Sequence, residues 1–489
     1  MTDPNAVSSY PGQAHDARWR SLVFPADHVN PRAQPRYHLV VIGAGPAGLV
    51  CAIGAAGLGA RVALVERQAM GGDCLNVGCV PSKALLEYTN RHSSDGSFEA
   101  AFAWMREVRA GIAAHDSVKR YTEHGIDVFL GEARFIDGST VEVDNQRLAA
   151  RRIVIATGAR AAVPGIPGLD EAEPLTNETV FDLKQAPKSV AIVGAGPIGC
   201  ELGQALARLN VAVHLFDVAD RVLPGEEADA GAAVSKSLLS SGVTLHLGAN
   251  VARIERAGDS TRIVYDDTEL HVDRALVAAG RRANTENLNL GAAGVELTEK
   301  GLIEVDERLR TTNSRIYAAG DVCSQLQFTH HADAHARIVI QNALFAPTAR
   351  TSRLVIPHCT YTNPELAQVG RSAAELERNG GRFDRYVVRF GDLDRGRAAG
   401  DEDSYAALLV EPKRGDILGA TIVAENAGEL IVPICLAISN GLRLGDIGKA
   451  VYPYPTRSEY LRRLSDEYNR TRLTPTIKRL MQAWLRLIG

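Results

Sequence analysis

The chain has 489 residues, a hydrophobic fraction of 45% and a formal net charge of −4. That length supports roughly three domains with sizeable cores, and the charge gives no basic excess suited to nucleic acid. Seven cysteines in so long a chain do not make a secreted disulfide scaffold, and no apolar run is long enough to span a bilayer. Residues 1–36 lack an apolar signal core and are expected to form a flexible extension of a cytoplasmic protein.

Tyr37 to Ile42 is an apolar run of the kind buried parallel strands use. Gly43-Ala44-Gly45-Pro46-Ala47-Gly48 follows, then a helical stretch from Leu49 to Leu58 and a second strand from Arg61 to Glu66. Strand, glycine turn, helix, strand and acid together make a dinucleotide-binding unit. The glycines allow a tight turn and close approach of backbone to a pyrophosphate at the helix N-terminus, and Glu66 can accept hydrogen bonds from ribose hydroxyls.

Next comes Gly71-Gly72-Asp73-Cys74-Leu75-Asn76-Val77-Gly78-Cys79-Val80-Pro81-Ser82-Lys83, with two cysteines five positions apart. Val80 to Glu87 reads as the start of a helix with Pro81 in its first turn. Cys79 then lies at the helix N-terminus, where the dipole favours an anion and lowers a thiol pKa. Buried inert thiols and a zinc half-site are the other readings, but no second cysteine pair exists to complete a zinc site.

The glycine pattern recurs. Ser189 to Val193 leads into Gly194-Ala195-Gly196-Pro197-Ile198-Gly199, a helix from Glu201 to Leu209, a strand from Val211 to Phe216, and Asp217. The offset from first glycine to acid is the same in both copies, so two dinucleotide sites are expected. Asp217 can bond a ribose 2′-hydroxyl but repels a 2′-phosphate, which favours NADH over NADPH. Strands ending in small-residue turns close at Thr157-Gly158 and at Gly280-Arg281. From about Thr351 the texture changes to antiparallel strands, Tyr405 to Val410 and Ile417 to Val423, followed by a helix from Glu429 to Asn440.

The cysteine segment resembles the active-site signature of the pyridine nucleotide-disulfide oxidoreductases, which include dihydrolipoamide dehydrogenase, glutathione reductase and mercuric reductase. Asp73 stands where that family usually has threonine. The resemblance implies an α/β chain with two Rossmann-like domains, for FAD and NAD(P)H, plus a C-terminal α+β dimerisation domain. The expected boundaries are a first FAD segment at 37–158, an NAD(P) domain at 159–290, a second FAD segment at 291–347, a dimerisation domain at 348–468 and a tail at 469–489.

It further implies a Cys74–Cys79 disulfide, with Cys79 facing the flavin and Cys74 meeting the substrate. Lys83, one helical turn beyond Cys79, would lie near the flavin, paired with Glu201. Gly43, Gly45, Gly48, Glu66 and Gly72 would serve FAD, and Gly194, Gly196, Gly199, Asp217 and Gly280 the nicotinamide nucleotide. Thr157-Gly158 would mark the exit from the FAD domain and contribute to binding the cofactor. Gly320-Asp321 would bond the ribityl chain, and Gln327-Phe328-Thr329-His330 would cap the isoalloxazine edge. A homodimer with an active site shared between subunits follows from the same likeness.

One motif departs from most of the family. Dihydrolipoamide dehydrogenase and glutathione reductase carry a histidine, then a proline, with a glutamate five residues after the histidine. This chain has Tyr454-Pro455 and Glu459. Tyrosine titrates near pH 10 against about 6.5 for histidine, so it is a poor proton acceptor at neutral pH. Mercuric reductases also carry tyrosine there, since a soft metal ion needs thiolates more than a proton shuttle. The chain lacks the C-terminal cysteine pair of those enzymes, leaving a metal ion, a quinone or another small electrophile as acceptor. A dihydrolipoamide-type disulfide reductase is the alternative enzyme, and a redox sensor or partner subunit the alternative of another class.

His331 and His335 share a helix face, but no third ligand accompanies them, and no resident metal is expected. Cys51, Cys200, Cys323, Cys359 and Cys435 read as core thiols. The tail from Thr474 has the pattern of a basic amphipathic helix, suited to packing on its own protein or to peripheral membrane contact.

Overall fold

The computed structural model describes residues 10–92 and 96–489. Its backbone divides into two units, one running to Val218 and from Ser241 to Leu354, the other made of Ala219–Ser240 and Val355–Gly489.

In the first unit the strand Tyr37–Ile42 lies between Val62–Glu66 and Gln146–Ile155, all parallel, with Ile126–Leu130 beyond Val62–Glu66. Val62–Glu66 is buried at every position, as expected of a parallel strand covered on both faces. Ile316–Ala318, far along the chain, adds beside Gln146–Ile155 with Ile316 opposite Ile153. The first dinucleotide domain is therefore assembled from two separated stretches. The second has its own parallel sheet in the order Val243–Leu247, Ala212–Asp217, Ser189–Val193, Arg274–Val277. Where the chain enters and leaves it, Ala159–Ala161 pairs antiparallel with Arg281–Ala283.

The N-terminal stretch departs from the flexible extension expected for residues 1–36. Residues 1–9 lie outside the described residues, but Gln13–Val23 is a helix held on the first domain. Two arginines on the helix Phe98–Ile112 explain this. Arg106 and Arg109 are 2% and 1% exposed, and both reach Asp16, at 3.1 and 2.7 Å. Trp19 donates its indole N–H to Asn76 at 2.7 Å and lies 4.0 Å under the Arg109 guanidinium. Val23 enters the core, and its carbonyl accepts the Met70 N–H. Burying two guanidiniums requires a carboxylate partner, and the arm supplies it.

The second unit is built on a five-stranded antiparallel sheet, ordered His358–Thr360, Glu365–Gly370, Ile417–Ala424, Tyr405–Val410, Asp384–Arg389. Phe390, Tyr460, Leu461 and Leu464 pack in its core. The helix Ala228–Ser240 belongs to this unit, although it falls inside the stretch 159–290 expected to form one nucleotide domain. Polar ties account for the difference. Glu226 meets His358 at 2.8 Å, Glu227 accepts the Ala373 N–H at 2.7 Å, Lys236 pairs with Asp403 at 2.6 Å, and Arg385 pairs with Asp229.

Candidate active site

The two glycine loops have the same geometry. Gly45 and Gly196 each precede a helix, Pro46–Gly57 and Pro197–Arg208, with identical φ and ψ of −75° and −175°. Gly43 and Gly194 have φ of 100° and 111°, and a Cβ on either would strike a backbone carbonyl, of Ala156 at 2.3 Å or of Ala278 at 2.4 Å. A Cβ on Gly48 would lie 1.8 Å from the Gly43 oxygen, and one on Gly199 would lie 1.9 Å from the Gly194 oxygen. Space stays open over Gly196, and over Gly45 the nearest atom is the Gly72 Cα at 3.7 Å. Each loop is thus a backbone cradle at a helix N-terminus, which fits a dinucleotide pyrophosphate.

Each acid also tethers its own loop. Glu66 accepts the Ala44 N–H at 2.7 Å and the Gln68 N–H at 2.8 Å, and Asp217 accepts the Ala195 N–H at 2.6 Å. Burial raises the Glu66 pKa, opposed by those N–H donors. A carboxylate has lone pairs left after such bonds for ribose hydroxyls.

Gly71 and Gly72 both have positive φ and turn the chain into the short helix Gly72–Asn76. A Cβ on Gly72 would lie 2.6 Å from the Gly45 Cα, so the cysteine segment rests against the first glycine loop. The helix Cys79–Arg91 begins at Cys79 itself. Both cysteines are free thiols, the reduced form of the pair. The Cys79 pKa is lowered to about 6, first by the hydrogen bond with the Cys74 thiol and then, against burial, by the charge of Lys83. Cys74 is pushed up, first by the same hydrogen bond and then by burial, and keeps its proton. One sulfur of the pair therefore ionises well before the other.

Lys83 lies 2.7 Å from Glu201, whose side chain is 5% exposed. Thr329 opens the helix Thr329–Leu344, and its hydroxyl is 3.4 Å from the Cys79 sulfur. Two helix N-termini therefore converge on one sulfur, reinforcing its anionic form. The ring of Phe328, at the cap of the helix Thr329–Leu344, stacks with His330 in its first turn, 5.5 Å between centroids, and Gln327 lies on the loop just before.

Asp321, expected to bond a ribityl hydroxyl, is partly buried, and its pKa is raised to about 6 by desolvation. Its counter-charge is Arg281, for which the sequence suggested no role. Arg281 is 3.7 Å from Asp321, bonds Asp73, and donates to the Ala159 carbonyl at 2.6 Å. Burial opposes the Arg281 charge, but Asp73 and then Asp321 outweigh it and hold its pKa above the ordinary value. The unusual acid at position 73 is thus neutralised from within. Thr157 and Gly158 face the protein: Thr157 donates to the Asn284 carbonyl at 2.7 Å, and the Gly158 carbonyl accepts the Asn284 N–H at 3.0 Å. The Gly280 carbonyl likewise accepts the Ala162 N–H at 2.9 Å.

His331 and His335 are occupied structurally. His335 accepts the Gly320 N–H at 3.3 Å, and His331 meets the Leu326 carbonyl at 2.8 Å. Burial drives the His335 pKa down to about 3, so it stays neutral while bracing the turn that carries Asp321. Among the described residues no group of three or more His, Cys, Asp or Glu could hold a metal ion.

In the second unit, Tyr454 donates its hydroxyl to Asp394 at 2.7 Å, a partner the sequence did not reveal. That hydrogen bond raises the Tyr454 pKa above the usual phenol value. Glu459 pairs with Arg463 at 3.0 Å, and its other oxygen is buried with no hydrogen-bond partner among the described residues.

Residues 37–336 match the pyridine nucleotide-disulphide oxidoreductase model, and residues 356–465 match the dimerisation domain of that family. The chain is 35% identical to the mercuric reductase of Staphylococcus aureus over 446 residues, covering 87% of this chain and 81% of that protein. It is 32% identical to the dihydrolipoyl dehydrogenase of Bacillus subtilis, over 86% of this chain and 94% of that protein. A solved Cu(II) complex of the HOCl-induced flavoprotein disulfide reductase RclA from Escherichia coli superposes with a TM-score of 0.82 at 28% identity, covering 88% of this chain and 99% of that one. Glycine cradles, a cysteine pair at a helix start and these matches lead to one conclusion: the chain belongs to the pyridine nucleotide-disulphide oxidoreductases, as an FAD- and NAD(P)H-using enzyme of the mercuric reductase and lipoamide dehydrogenase type with the family's dimerisation domain.

Proposed function

We propose that this enzyme carries electrons from NADH, through FAD and the Cys74–Cys79 pair, to a soft metal ion. The observation that carries the reading is Tyr454, standing where disulfide-reducing relatives have histidine, with its hydroxyl donated to Asp394. A phenol so bonded does not take the proton of an attacking thiol near neutral pH. Thiolates bind soft cations without such a proton acceptor. The mercuric reductase relatives and the Cu(II)-bound structural neighbour support the choice.

FAD, when bound, supplies the two-electron relay between nicotinamide and sulfur. The residues of the chain do the rest. Gly43, Gly45, Gly48 and Gly72 would give it backbone to lie against, and Glu66 and Asp321 would take its hydroxyls. Lys83, fixed by Glu201, puts a cation beside Cys79. Breaking the Cys74–Cys79 bond with two electrons and one proton leaves Cys79 as thiolate and Cys74 as thiol. Cys74 then releases its proton to solvent as its sulfur bonds the metal ion. One NADH balances one two-electron ion or two one-electron ions. Asp217, at the end of the strand Ala212–Asp217, supports NADH as the donor. Tyr454 and Glu459 act on the partner subunit's cysteine pair, so the site is completed by dimerisation.

NADH oxidation by the purified holoenzyme, measured with Hg(II), Cu(II), lipoamide, glutathione disulfide and a quinone, tests the reading. Fast turnover with a metal ion and little with lipoamide is expected. Brisk lipoamide reduction would instead favour a dihydrolipoamide-type enzyme, a reading to which Glu459 and its unpartnered oxygen lend support.

A further inference from the structure

The last helix, Pro475–Ile488, opens on Thr474, whose hydroxyl accepts the Ile477 N–H at 3.3 Å. At about 100° per residue, Ile477, Leu480, Met481, Trp484, Leu485, Leu487 and Ile488 fall within one arc of roughly 160°. Lys478, Arg479, Gln482 and Arg486 occupy the remainder, and no acid occurs from Pro475 to Gly489. None of these residues is buried: Trp484 is 63% exposed and Leu487 82%. The preceding helix, Glu459–Arg472, makes the contrast. It buries Tyr460, Leu461, Leu464, Ser465 and Tyr468 on its own unit. The packing of the tail on its own chain, one of the two expected outcomes, is not what the structure has.

We propose that this helix docks in the plane of an anionic lipid bilayer. Charge decides the occupant. The whole chain has a net charge of −4, yet this segment carries three basic side chains and no acidic one. Basic residues beside a broad apolar arc with a tryptophan are the composition that lies at a membrane interface. A second copy of the same helix would bring three more basic side chains and no acidic side chain to pair with them, so self-pairing is disfavoured. The dimerisation match ends at residue 465, before this helix begins. Among the described residues no helix is long and apolar enough to cross a membrane, so the contact is peripheral. Lipid docking is independent of which electron acceptor the enzyme uses.

The test is co-sedimentation of the holoenzyme with phosphatidylcholine vesicles, with and without phosphatidylglycerol, beside light scattering for subunit mass. Three basic residues near an anionic surface give about a hundredfold preference for the phosphatidylglycerol vesicles, weakened by added salt. A chain ending at Leu473 stays in the supernatant, as does Leu480→Glu/Trp484→Glu, which keeps the helix and breaks its apolar face. Both keep NADH oxidation and dimer mass. Equal pelleting of full and shortened chains overturns the proposal. So does equal pelleting on the two vesicle types. Loss of dimer mass in the shortened chain also overturns it, by making the helix a subunit contact.

Discussion

At Cys79 a thiol neighbour, a lysine and a threonine hydroxyl act together on one sulfur, and their sum has a measurable sign. The thiolate is present above a pKa of about 6 and is lost as pH falls through it. In the reduced enzyme, alkylation of Cys79 by iodoacetamide should therefore reach half its maximal rate near pH 6, well below the ordinary thiol value of about 8.5. Lys83→Met removes a favourable charge, so its curve should move to higher pH and its rate at pH 6 should fall. At Tyr454, replacement by histidine restores a group that titrates near neutrality. Tyr454→His should raise lipoamide turnover by at least about tenfold, since a positioned acid–base group contributes about a hundredfold or more. No change would mean that residue 454 does not limit disulfide substrates. Arg281 supports a third test. Arg281→Met leaves Asp73 and Asp321 without their shared cation, so two like charges remain side by side, partly screened by solvent. FAD should elute from that variant on gel filtration and be retained again when Asp73→Asn is added.

The helix Gln13–Val23 shows at the level of elements what a sequence displays and what it conceals. Asp16→Ala would leave Arg106 and Arg109 buried without a carboxylate and should cost about 3–5 kcal/mol in chemical unfolding. The control is Glu107→Ala, an exposed position on the helix Phe98–Ile112. It leaves both arginines paired and should change stability by about 0.5 kcal/mol or less. The glycine loops, the helix start at Cys79 and the buried strands were legible because each depends on residues close together in the chain. Gly48 must be glycine because the Gly43 oxygen would lie 1.8 Å from its Cβ, a purely local demand. The arm concealed its order because Asp16 finds its partners some ninety positions away. Thr329 on Cys79, Arg281 between two acids and Asp394 under Tyr454 were concealed for the same reason. Each is a contact made by tertiary folding between residues that no periodicity links.

For the whole molecule, dimerisation and catalysis should be inseparable if Tyr454 and Glu459 serve the partner's cysteines. Cys79→Ala and Glu459→Ala chains, each inactive alone, should form mixed dimers with one intact site and about half the wild-type turnover, one site of two. Mixed dimers without activity would place both groups of residues in one subunit's service. The helix Ala228–Ser240 bears on the molecule in another way. It is drawn from the middle of the chain into a unit whose other residues begin at Val355. Neither unit is therefore a portable cassette. A gene fragment opening at Val355 would lack Glu226, Glu227 and Asp229, stranding His358, the Ala373 amide and Arg385. Recombination between relatives at that seam would exchange the sheet while leaving its covering helix behind in the donor's sequence, so the two stretches are constrained to be inherited together.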